Sequence, residues 1–188
     1  GVYGDMARSI NALVQAHIAV KLRVVDVIKH YAVGDLSVDM DRLPGQKAQI
    51  TDVMDSVKAS LQRVNAQIQT LVDAAASGDF TARGDAAAFD HAFRSMILSL
   101  NRLMDVADTG LGDVSRLLGA LAQGDLTQRI DGQYQGTFKR LRDDANATVT
   151  QLQKLVAGLQ QSAQAIATAA GEIAAGNADL SARTEQQA

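Results

Sequence analysis

Few residues in this 188-residue chain have the type and spacing for chemistry. There are no cysteines, which excludes disulfides and thiolate-bound metals. His17, His30 and His91 are too far apart in sequence for metal-ligand spacing, and none has the His-acidic setting of a phosphoaccepting helix. The run DMDRLPG (39–45) has the acidic character of a calcium loop, but its twelfth position is Ile50 where a bidentate Glu is needed. Asn146-Ala147-Thr148 fits a glycosylation sequon. There is no P-loop and no Gly-x-Ser-x-Gly. These residues give no active site and call for no metal or cofactor.

What recurs instead is a helix stop. Gly34-Asp35-Leu36, Gly78-Asp79-Phe80 and Gly124-Asp125-Leu126 each end a run of helix-favouring residues. Glycine ends helices because it takes the left-handed conformation without a steric penalty. Three such stops at near-equal intervals read as a repeat. The register is clearest at a shift of 90 residues, where SINALV (9–14) lies over SLNRLM (99–104) and GDLSVDMD (34–41) over GDLTQRID (124–131). In half-period alignment Asn11, Lys58, Asn101 and Asn146 take corresponding places.

The elements that carry these stops are helices. Apolar residues make up 47% of the chain, aromatics only 4%, and there is one Pro, so long Ala-, Leu- and Val-rich runs dominate and strand signals are nearly absent. After each stop the apolar positions step by three, four, four and three: Ile50, Val53, Val57, Leu61, Val64; then Phe93, Met96, Leu100, Met104, Ala107; then Phe138, Leu141, Ala145, Val149, Leu152. Two consecutive fours are a stutter, which locally unwinds a left-handed coiled coil. Tyr3, Met6, Ile10, Val14 and His17 repeat the steps, so 1–17 read as the second helix of a preceding unit. Continuous helices of roughly 25–30 residues are expected to join the units, at lengths ordinary for coiled coils. From Leu152 the pattern becomes a plain heptad through Val156, Leu159, Ala163, Ile166, Ala170, Ile173, Asn177, Leu180, Thr184 and Gln187.

Two helices and a connector have apolar stripes with little to cover them. Two copies packed in parallel make a four-helix bundle around one core, so a parallel homodimer is expected. The extended connector lets both helices point the same way, with apolar anchors four apart tucked inward: Leu36 and Met40, then Leu126 and Ile130. In the middle copy the anchors are Phe80 and Gly84, so this unit is expected to pack differently and to be the soft point. The net charge of −3 leaves no electrostatic footprint for nucleic acid or an anionic membrane surface, and no apolar run approaches a membrane span.

Helix, Gly-Asp-Leu, paired connector anchors and a second amphipathic helix together resemble a HAMP domain, a signal-relay module of bacterial receptors and kinases. GDLTQRIDGQYQGTFKRLRDDANATVTQL (124–152) is the most typical copy, and the Ala-rich middle copy, GDFTARGDAAAF, departs most. The tail EIAAGNADLSARTEQQA (172–188) is similar to the entry of the methylation helix of methyl-accepting chemotaxis proteins. By that resemblance Glu185-Gln186 is an adaptation pair, and Gln186 is the residue to be deamidated and then methylated. The fold implied is all-α: tandem HAMP parallel four-helix bundles, dimeric, continuing into a long coiled-coil helix. The expected division is 1–17, the end of a preceding unit; 18–62, 63–106 and 107–153, three HAMP units; and 154–188, the start of the signalling helix. The chain then reads as a fragment, a non-enzymatic cytoplasmic relay segment of an inner-membrane chemoreceptor. The implied partners are a histidine kinase, a coupling protein, a methyltransferase and a methylesterase. Relay in a sensor kinase or cyclase, or a plain coiled-coil spacer, are the alternative functions.

Overall fold

A computed structural model describes residues 1–186. The described residues form helices joined by extended connectors and contain no strand. Helix α1 spans Val2–Ala32, α2 Ala48–Ala76, α3 His91–Ala122 and α4 Gly136–Gln186. A single turn of 3-10 helix at Gly45–Lys47 ends the first connector, and another at Ala86–Ala88 lies two residues before α3. The joining helices α2 and α3 have 29 and 32 residues, close to the length expected from the apolar pattern. None of the described helices is long and apolar enough to cross a membrane. The seam position at Gln187 lies outside the described residues.

The chain divides into two compact bodies, one over Gly1–Asp105 and one beginning at Val106. The first holds two cores. Val27 and Tyr31 of α1 bury against Met40 of the connector and Met54 of α2, with Leu36, Ile50 and Leu61 packed around them. Val64 of α2 buries with Phe89 and Ile97, flanked by Ile68, Phe93 and Leu100. In the second body Leu117 of α3, Ile130 of the connector and Val149 of α4 form one cluster, edged by Val114, Leu121, Leu126 and Ala145. The stepped apolar positions therefore supply several of these core residues, including Val64, Met104 and Val149.

Each core has only a few fully buried side chains, each contributing about 1.5–3 kcal/mol. Much of the apolar seam stays open in the single chain. Ile10 is 57% exposed, and Leu159, Ile166, Ile173 and Leu180 are all above 60%. Beyond Val149 every described residue of α4 is exposed. Such a long helix keeps little stability of its own in water and depends on packing of its apolar face.

Candidate functional site

The three helix stops fold into the same clasp. Gly34, Gly78 and Gly124 have φ of +84°, +85° and +80°. Their amides donate to Tyr31, Ala75 and Leu121, each at 3.0 Å, and the following aspartate amides donate to His30, Ala74 and Ala120, each at 2.9 Å. These paired bonds are a Schellman end, which satisfies helix carbonyls that lack a partner. The aspartate side chain then begins the connector. Asp35 Oδ1 accepts from the amide and the hydroxyl of Ser37 at 3.0 and 2.6 Å. Asp79 does the same with Thr81 at 2.9 and 2.6 Å, and Asp125 with Thr127 at 2.8 and 2.6 Å. Hydrogen bonds to the ionised form favour it. The Ser37 hydroxyl and amide, helped by His30, hold Asp35 down to about 2, and Thr81 and Thr127 likewise lower Asp79 and Asp125.

A second clasp lies five or six residues after each glycine. In the third connector Ile130 is buried, and Asn146 of α4 grips its backbone at two points: the amide of Ile130 donates to Asn146 Oδ1 at 3.0 Å, and Asn146 Nδ2 donates to the Ile130 carbonyl at 2.9 Å. Asn101 of α3 repeats this grip on Gly84 at 2.8 and 2.9 Å. Both backbone groups of a buried connector residue are thereby satisfied, as buried polar groups require.

Lys58 of α2 occupies the corresponding place in the first unit and uses charge. Its Nζ donates to Asp39 Oδ1 at 2.6 Å and reaches the Val38 carbonyl at 3.4 Å, with its side chain only 14% exposed. The pairing lowers the Asp39 carboxyl and raises the Lys58 amine. Two more ion pairs tie this connector down, Arg23 of α1 to Asp41 at 3.5 Å and Arg42 to Asp55 of α2. His30 Nδ1 adds a contact with Asp35 Oδ2 at 2.8 Å that the alanines at the matching places of the other two clasps cannot make.

In the later connectors an arginine five residues after the glycine braces the turn. Arg83 donates to the Phe80 and Ala82 carbonyls and pairs with Asp105. Arg129 donates to the Leu126 and Gln128 carbonyls and, at 2.8 Å, to Gln153 Oε1. The third connector also has Tyr134, whose hydroxyl donates to Asp113 at 2.7 Å; that carboxylate pushes the phenol up to about 12.

The connector positions expected to be anchors differ in burial. Leu36, Phe80 and Leu126 are half-buried, and Met40 and Ile130 are buried. Gly84 has no side chain to offer, and its backbone instead comes close to the second core. A Cβ added there would lie 2.8 Å from Ile97 and 3.2 Å from Leu71. Buried Phe89 packs in the same cluster as Ile97, so this connector's apolar contribution comes from further along. Glu185 and Gln186 are exposed on the last turn of α4.

Two parts of the site carry signals that the sequence reading left unused. The Ser or Thr two residues after each aspartate is visible in GDLS, GDFT and GDLT. The alignment of Lys58, Asn101 and Asn146 marks their positions but not their grip.

Residues 20–62 match the family model described as HAMP N-terminal domain 3, and residues 88–154 match that of the HAMP domain. Over 131 residues the chain is 43% identical to methyl-accepting chemotaxis protein McpB of Pseudomonas aeruginosa. The aligned stretch covers 70% of this chain and 19% of that relative, so the chain spans about a fifth of its length.

Proposed function

Because the chain is a poly-HAMP segment of the chemoreceptor type, we propose that it relays conformational signals between helices toward a kinase-controlling bundle. One observation carries this reading: the same helix stop recurs three times, with the first helix end pinned by Gly-Asp, and each time a side chain of the second helix, 22 to 24 residues after the glycine, holds the connector five or six residues after it. A spacer has no need of repeated grips of this kind. A relay does, because the grips fix each helix pair in discrete arrangements, and packed elements switch between such arrangements more readily than they deform continuously. An input that tilts or turns one unit then favours one arrangement of the next through α2 or α3. Only a few kcal/mol need separate the states.

The remaining parts of the reading go with it. The exposed seam along α1 and α4 is covered by a second copy in a parallel homodimer, three units occupy 18–62, 63–106 and 107–153, and α4 enters the adaptation region. Gln186, beside Glu185 on the solvent-exposed last turn of α4, is open to deamidation and methylation by the receptor-modifying enzymes. The kinase and the coupling protein act further along the full receptor, in which this segment is cytoplasmic and has no catalytic step.

The test is one of phase. Deleting residues 146–149 would remove both the Asn146 grip and buried Val149, so the deletion belongs further along α4, in its exposed heptads. Removal of 157–160 is expected to lock the receptor's output in one state. Removal of 157–163 keeps the heptad phase and is expected to preserve switching. Equal switching by both receptors would overturn the relay reading. In the chain without deletions Leu159→Cys and Ala163→Cys are expected to cross-link between copies efficiently, and Lys154→Cys poorly. A monomer at high concentration would defeat the dimer.

A further inference from the structure

Each connector hands over to its second helix through a residue in the left-handed region. In the first and third units that residue is glycine, Gly45 at φ +59° and Gly136 at +55°; in the middle unit it is His91 at +47°. A Cβ in this region meets the following carbonyl, so the same turn that glycine makes freely is strained for histidine. The ring of His91 is exposed, so burial of the ring does not offset the strain. Its neighbours impose it. Two residues earlier Phe89 is buried, and two residues later Phe93 packs on the same cluster with Val64 and Ile97. On the connector side, Asn101 holds Gly84 at both backbone atoms. Backbone strain persists only where the surroundings over-determine it, and these contacts fix the chain on both sides of His91.

We propose that His91 is a built-in strain point that makes the middle unit the least stable of the three, and therefore the first to rearrange. Backbone geometry carries the strain at His91, and its part in signalling rests on the relay reading. Strain placed here lowers the free-energy gap between the observed packing of the middle unit and any alternative, while the glycine-started units on either side keep theirs. The device differs from a missing anchor, because Gly84 is tightly packed and the weak point lies seven residues later.

Hydrogen exchange on the 188-residue chain tests the first half. His91→Gly is expected to raise protection of the Gly84–Phe89 amides and of the first turns of α3 about five- to thirty-fold, the equivalent of about 1–2 kcal/mol. His91→Ala removes the imidazole but keeps the Cβ, so protection is expected to stay within about twofold of the parent. Gly136→His transplants the strain, and protection at Ile130 is expected to fall by a similar factor. No gain in His91→Gly, or an equal gain in His91→Ala, would overturn the proposal. The second half is read in the full-length receptor, where His91→Gly is expected to raise the stimulus needed for half-maximal output. If exchange slows as expected but that threshold does not move, the strain stands and its part in the relay is refuted.

Discussion

The first and third connectors keep the same two apolar anchors and hold them by different chemistry. In the first, Lys58, Arg23 and Arg42 pair with three aspartates, two on the connector and one on α2. In the third, the amide of Asn146 and that of Gln153 grip the backbone, and Tyr134 reaches across to Asp113. Five residues after the glycine stands Asp39 in the first connector, paired with Lys58, and Arg129 in the third, bonded to the neutral Gln153. The comparison shows that the unit requires a second-helix partner for the connector near the sixth residue after the glycine, where the first and third connectors bury a side chain and the middle one packs Gly84. It does not require any one chemistry to provide that partner.

The sharpest way to break this equivalence is to remove what the two connectors share. Ile130→Ala and Met40→Ala are each expected to cost about 2–5 kcal/mol, seen as a lower midpoint in urea denaturation. A loss at one site only would show that the two cores are not built alike. A smaller effect comes from what they do not share. Asn146→Ala leaves the amide and carbonyl of buried Ile130 without their partner and is expected to cost about 1–3 kcal/mol. Lys58→Asn instead imports the amide grip into the first connector and is expected to cost less than Asn146→Ala by the same measurement. If it costs more, the first connector depends on charge specifically.

Acid tests the part that all three connectors have in common, with the smallest effect. Asp35, Asp79 and Asp125 are held below the usual carboxylate range by their Ser or Thr partners, Asp35 at about 2. A depressed folded-state pKa gives stability that is present above the unfolded value near pH 4 and is lost as pH falls through the folded value. The melting temperature is therefore expected to decline between about pH 4 and pH 2. The decline is expected to be shallower in Ser37→Ala and Thr127→Ala. Equal slopes in parent and variants would remove the hydroxyls from the account.

Sequence periodicity located the helices and their stops because those depend on local rules: glycine at a helix end and apolar residues every three or four positions. The grips were harder to read. Asn101 and Asn146 act on backbone atoms 17 and 16 residues away, and any residue has such atoms. Nothing at Gly84 or Ile130 marks them as the partner. Gly84 itself invites the reading of a missing anchor, whereas a glycine can also admit a close neighbour, here Ile97 and Leu71. His91 hid for the opposite reason. The backbone position that Gly45 and Gly136 advertise is filled there by a residue with a Cβ, for which a positive φ is uncommon.

The bare length of α4 has a mechanical consequence. Val149 is its last buried residue, and Gln186 lies 37 positions further along the same helix. At about 1.5 Å per residue that is an arm of roughly 55 Å pivoting on buried Val149 and, one turn on, the bonds of Gln153 to the third connector. A tilt of about 2° at the pivot sweeps the far end sideways by about 2 Å, a lever ratio that follows from helix rise alone. In an apposed pair of such arms, a displacement too small to disturb the core at Val149 would become a visible change of spacing at the tip.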